Sequence, residues 1–219
     1  MLASQFTDAV GSANIGAKYR SYQEKGEFTV WISAGVAAVL IVYGYVLYAR
    51  LIRFRNSALE ALSGIDVQLR KRYDLIPNVL KLARRYMEHE TSLIKEVTEL
   101  RVKAEAAMGG NDPGSVTDRF SADDALVGGL GQLFARMENY PELKADGTII
   151  EAQAAYQEVE GHISAARRFY NTAVGELNTS IETFPGSLVA PLAKAKTMPF
   201  YEVEEAKIRE PIDADDFLR

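Results

Sequence analysis

Cysteine is absent from the 219 residues, and histidine occurs only twice, at His89 and His162. Without cysteine there is no disulfide, no thiolate metal site, no thiol nucleophile and no lipoprotein-type lipid anchor. Helical bundles can bind metals through Glu-x-x-His pairs. Here the residues three before the histidines are Tyr86 and Val159, and the neighbouring Glu88, Glu90, Glu158 and Glu160 lie at spacings that point to other helix faces. No glycine-rich phosphate loop, G-x-S-x-G or H-E-x-x-H is present. The sequence predicts no catalytic residue, no metal and no cofactor. A net charge of -5 also runs against a nucleic-acid partner, because phosphate neutralisation needs a basic surface.

What is present begins with one long apolar run. Residues 28–49 read FTVWISAGVAAVLIVYGYVLYA, without a charge. As a helix the run spans roughly 33 Å, enough for a hydrocarbon core of about 30 Å. Trp31 stands near one end, and Tyr43, Tyr45 and Tyr48 crowd the other, the positions interfacial rings favour. A signal peptide would have a shorter apolar region and a shorter leader. The run therefore predicts a transmembrane helix with the lipid bilayer as partner. Arg50, Arg53 and Arg55 follow it at once, whereas Lys18, Arg20 and Lys25 before it are mixed with Glu24 and Glu27. The bias places the C-terminal part in the cytoplasm, behind a bacterial inner membrane. Small residues at Ser33, Ala34, Ala37 and Ala38 would permit close helix contact in the membrane. Residues 1–27 form an N-terminal extension, and a short interfacial helix and a disordered tail both remain open there.

Beyond residue 50 apolar residues recur at helical spacing through Leu59, Leu62, Ile65 and Leu69, then Ile76, Leu80 and Met87, and again from Leu93 to Leu100. Pro77 interrupts the first stripe. With Asp74 as a candidate N-cap, the sequence predicts a kink or restart over Tyr73–Pro77. Gly, Asp, Asn and Ser over 109–124 predict a mobile loop. A shorter helix is expected over 125–139, with Gly128, Gly129 and Gly131 either weakening it or admitting a neighbour. Thr148 and Glu151 fit a capping box. From there a heptad-like stripe runs to Phe184, where Pro185 and Gly186 end it. A stripe that long must be buried by partner helices, from this chain or from other copies. From Pro199 the helical period is lost; seven acidic and three basic residues mark an extended acidic tail over 199–219. The fold class is all-α: one N-terminal transmembrane helix, then an antiparallel helical bundle of long helices over 50–198, then the tail.

Four blocks carry a resemblance. Residues 65–78 read IDVQLRKRYDLIPN, 140–144 read YPELK, 165–171 read AARRFYN with Asn178 and Phe184 beyond, and 199–205 read PFYEVEE. Together they resemble the LemA family, in this order. The resemblance implies an N-terminal membrane helix and an antiparallel bundle without an established enzymatic activity. It also implies a membrane-associated protein, in some members linked to membrane remodelling or to membrane peptidases. The longer N-terminus and the 109–124 stretch depart from the family's pattern.

The polar residues that stand out are Asp66, Arg70, Arg72, Tyr73, Asp74 and Asn78, together with Arg167, Tyr170, Asn171 and Asn178. Asn171 and Asn178 are seven apart, on one helix face beside the apolar stripe. Such residues serve either as an assembly or recognition surface, or as an intrachain polar network that joins the Pro77 region to the long helix. The functions expected are a self-associating membrane scaffold, a homo-oligomer, or an adaptor of another membrane protein such as a peptidase or signalling receptor.

Overall fold

The computed structural model describes the backbone of residues 2–202 and the side chains of residues 31–202, Lys144 excepted. The described residues contain six α-helices and one 3-10 turn: α1 (Leu2–Tyr86), the turn (Glu88–Glu90), α2 (Thr91–Ala106), α3 (Pro113–Met137), α4 (Pro141–Lys144), α5 (Gly147–Glu182) and α6 (Gly186–Val189). The described residues contain no strand. The chain divides into two compact units between Arg50 and Leu51.

In the first unit, nearly all side chains from Trp31 on are exposed, Trp31 by 76% and Ile41 by 73%, with Leu47 half-buried. The stretch is long and apolar enough to cross a membrane. α1 begins at Leu2, in the region where the sequence leaves a helix and a disordered tail both open.

The second unit is an up-down-up-down bundle of α1 from Leu51, α2, α3 and α5. Phe134 packs on Tyr156 and Phe120 on Tyr170, so fourteen residues forward along α3 match fourteen back along α5. Arg72 meets Glu160 and Tyr86 meets Asp146, the same antiparallel match between α1 and α5. Leu62, Ile65, Leu69, Ile76, Val97, Leu126, Leu130, Ile163 and Val174 form part of one continuous core.

The structure corrects three expectations. First, α1 continues through Pro77 with no break or restart, and Asp74 is an exposed mid-helix residue rather than a cap. Proline cannot donate to the carbonyl four residues back, and that carbonyl belongs to Tyr73. Arg101 Nε of α2 donates to it at 2.9 Å, so a side chain replaces the missing amide.

Second, the expected loop over 109–124 is mostly helix. Asp112 caps α3 by accepting from the amides of Gly114 and Ser115 at 3.1 and 3.2 Å, and Pro113 fills the first turn, where its missing N–H costs nothing. The helix expected over 125–139 is the second half of α3. Its Gly129 faces α2 so closely that a Cβ would lie 2.8 Å from Leu100 Cδ1.

Third, Asp146 rather than Thr148 caps α5, accepting from the Thr148 amide at 2.8 Å. The α5 stripe is also covered within this chain as far as Ile181, with Ile149, Val159, Ile163, Tyr170 and Leu177 buried, while Phe184 at its end is exposed.

Candidate functional site

The polar residues named above fall into three groups. The first surrounds Asp123, which is fully buried on α3. Its Oδ1 accepts from Arg72 Nη2 and, at 3.0 Å, from the Tyr73 hydroxyl. Its Oδ2 accepts from the Tyr201 hydroxyl at 2.6 Å and from Arg167 Nη2 at 3.4 Å. Arg167 Nη2 also donates to the Tyr201 hydroxyl at 2.7 Å, and Arg72 Nη1 donates to Glu160 Oε1 at 2.7 Å. The two guanidinium groups and two carboxylates balance in charge, which a buried ionic cluster requires. The hub joins α1, α3, α5 and the chain after α6.

Its electrostatics follow from burial. Burial opposes the charge of Arg72, but Asp123 and Glu160 outweigh that cost and hold its pKa above the ordinary value. Burial also raises the Tyr73 and Tyr201 hydroxyls well above the usual phenol range, and the negative charge of Asp123 pushes the same way. Both tyrosines therefore stay protonated as donors. Each Asp123 oxygen has two donors, so the carboxylate is fully engaged in holding the chain together.

Beside the hub, Arg119 is buried and donates to Asp66 Oδ1 and to the Gly110 carbonyl, both at 2.6 Å. It fixes the α2–α3 connection onto α1. Gly109 and Gly110 in that connection have φ of 115° and 78°, values suited to glycine. Partial burial raises the pKa of Asp66, an effect the Arg119 charge offsets in part.

The second group holds the chain after α6. Asn178 donates to the Met198 carbonyl and accepts from the Met198 amide, both at 2.9 Å. Asn171 does the same with Tyr201, donating at 3.0 Å and accepting at 2.8 Å. Each carboxamide thus brackets one residue as a neighbouring strand would. The spacing explains why two asparagines suffice. Seven helical residues rise about 10.5 Å, and three extended residues cover about 10 Å. Tyr170 adds a hydroxyl donor to the Pro199 carbonyl at 2.8 Å. Met198–Tyr201 therefore runs as a strap along α5, antiparallel to it. The remainder of the expected acidic tail lies outside the described residues.

The third group is exposed. Arg70, Asp74 and Asn78 lie on the outer face of α1, away from the hub. With Asp66, Val67, Lys71 and Met108, Arg70 and Asp74 line a shallow groove. His162 is exposed and lies 3.6 Å from Glu158, one turn before it. Among the described residues no group of three or more His, Asp or Glu is placed to hold a metal.

Sequence reasoning missed Asp123, Arg119, Glu160 and Tyr201. Arg119 and Asp123 interrupt the apolar stripe of Val116, Phe120, Leu126, Leu130 and Leu133, so hydropathy alone hides that face. The overlooked signal was the pair Asp112 and Pro113, a cap followed by an N1 proline.

The proteins to which the chain is similar include two magnetosome proteins. "Magnetosome protein MamQ 2" of Paramagnetospirillum magneticum is 23% identical, over 66% of this chain and 60% of the relative. "Magnetosome protein MamQ" of Magnetospirillum gryphiswaldense is 22% identical with the same coverage. The chain thus spans under two thirds of the length of the curated relatives it matches. The LemA family profile matches residues 61–215, which takes in the hub, both asparagine brackets and most of the bundle, and the chain belongs to the LemA family.

Proposed function

We propose that this protein is a non-enzymatic membrane scaffold. The apolar part of α1 anchors it in a bacterial inner membrane, and the bundle is held at the cytoplasmic surface, the side that the Arg50, Arg53 and Arg55 bias favours. The observation that carries the non-catalytic reading is the Asp123 hub. Its acidic and basic groups are spent on joining three helices to the strap, a structural use that leaves the carboxylate no free lone-pair site for proton transfer. The names of the MamQ relatives are those of magnetosome proteins and name no reaction.

Self-association is the finer part of this reading. The α5 stripe is already covered within the chain as far as Ile181, so the contact is assigned to the membrane helix. There Ser33, Ala34, Ala37 and Ala38 would let backbones approach closely. Light scattering of the full-length protein in mild detergent tests it: a uniform multimer is expected, and Ala34→Leu with Ala38→Leu should reduce its mass. A monodisperse monomer would overturn the scaffold reading.

One observation favours a second reading, an adaptor for another membrane protein. Val67 is 55% exposed in the groove between Asp66, Arg70, Lys71 and Asp74. An apolar centre with charges of both signs around it is how a protein partner is commonly met. Capture with the full-length protein as bait should then yield a stoichiometric partner that Asp74→Arg releases without lowering the melting temperature.

A further inference from the structure

The turn that joins α5 to the strap reverses the usual placement of side chains. Its small residues Ala190 and Ala193 are buried, while its large apolar residues point to solvent: Phe184 is 80% exposed, Leu188 71% and Leu192 78%. Local geometry fixes this arrangement. At Gly186 a Cβ would lie 1.9 Å from the backbone oxygen of Ser180, so only glycine lets the chain fold back there. Isolated exposed leucines are common on proteins, but three large apolar side chains on one turn form a contact surface.

Its place in the bundle identifies the contact. The antiparallel match of Arg72 with Glu160 and Tyr86 with Asp146, carried to the other end, brings Leu51 level with the last turn of α5. Both lie about 32 Å from the Arg72–Glu160 pair at 1.5 Å per residue. The α2–α3 connection is fixed at Asp66 and stops about 22 Å short of that level, counted the same way. Among the described residues, this end of the bundle is therefore built from the start of its α1 segment, the end of α5 and the 184–196 turn. The residue at its tip, Leu51, is also where the chain joins the apolar segment.

Exposed cations outnumber exposed acids at this end, where the last two turns of α5 carry Glu176 and Glu182. No Asp or Glu occurs from Thr183 to Tyr201, whereas Lys194 and Lys196 are exposed. On α1, Arg53 and Arg55 are exposed and no acidic residue occurs from Leu51 to Leu59. Large apolar side chains flanked by exposed cations match the chemistry of an anionic bilayer surface.

We propose that the 184–192 turn is a second membrane contact. Phe184, Leu188 and Leu192 enter the headgroup region, while Lys194, Lys196, Arg53 and Arg55 meet anionic headgroups. The proposal rests on the anchoring reading above, because only an anchored chain presents this end to the lipid.

The sole tryptophan, Trp31, makes the test selective. Full-length protein is reconstituted in phosphatidylcholine–phosphatidylglycerol vesicles containing lipids brominated high on the acyl chain. The native chain reports the anchor through Trp31. A Trp31→Phe, Leu188→Trp variant reports the turn, with circular dichroism confirming its fold. The expected result is that both tryptophans lose most of their emission to the brominated lipid. Loss at the turn should become several-fold weaker when Lys194→Gln and Lys196→Gln are added or phosphatidylglycerol is left out. Quenching of Trp31 with full aqueous exposure of Leu188→Trp would overturn this proposal and leave the anchor standing. Failure of Trp31 itself to quench would overturn the anchoring reading and this one with it. A blue-shifted Leu188→Trp that lipid does not quench would show a second copy covering the turn, and would overturn it too.

Discussion

The Asp123 hub and the two asparagine brackets hold the same strap by different physics. The hub uses full charges, which are costly to remove from water and depend on every partner being present. Each bracket uses one neutral amide to satisfy one backbone N–H and one C=O, so it works alone. Where α1, α3, α5 and the strap converge on one point, charge fixes a unique arrangement. Where a short segment must lie along a helix, a repeated neutral contact is enough.

The comparison breaks most sharply at Asp123. Asp123→Ala leaves the buried Arg72 and the half-buried Arg167 without their shared carboxylate, and we expect a loss of about 3–5 kcal/mol in urea unfolding followed by circular dichroism. A loss no larger than that of a bracket mutation would show that the hub is not the centre of the structure.

Alkaline pH tests the hub without mutation. Tyr73 and Tyr201 have pKa values raised chiefly by burial, and Tyr156 and Tyr170 are raised by burial as well. Unfolding returns them to about 10. Above that pH the unfolded chain releases protons that the folded one keeps, so stability is fully present below pH about 10 and falls as pH rises further. Phenolate absorbance should show these four tyrosines titrating together with loss of helicity. Smooth titration of every tyrosine with helicity unchanged would refute the buried-donor assignment.

The brackets should respond locally. Asn178→Ala strips both partners from Met198, and Asn171→Ala does so for Tyr201, each costing about 1–3 kcal/mol. Hydrogen exchange should accelerate at the Met198 amide in the first case and at the Tyr201 amide in the second, with α2 and α3 unaffected. The smallest effect is expected at the exposed Lys95–Glu99 pair, where Lys95→Ala should change stability by less than about 0.5 kcal/mol.

Much of the helical framework was readable in advance, because Leu62, Ile65, Leu69 and Ile163 repeat at a spacing that only a one-sided helix explains. The membrane-length apolar run was readable for the opposite reason, because residues 28–49 carry no charge on any face. Asn171 and Asn178 could be singled out as a pair by their separation of seven. Their partners could not, since an extended segment such as Met198–Tyr201 follows no helical period. Asp123 was hidden because a charged residue at a core position looks like loop composition until its four donors, from α1, α5 and the strap, are known. Pro77 was misread for a related reason: the group that rescues its helix lies 28 residues from the Tyr73 carbonyl it meets.

That rescue has a mechanical consequence. A helix interrupted by proline is a ready hinge, and here the hinge is held shut by one guanidinium from the adjacent helix. Stiffness at Tyr73 is thus borrowed from α2 rather than intrinsic to α1. Any event that lifts α2 away would free the Tyr73 carbonyl and let α1 bend at that point. The bond from Arg101 therefore acts as a latch that ties the continuity of the α1 segment around Pro77 to the docking of one short helix.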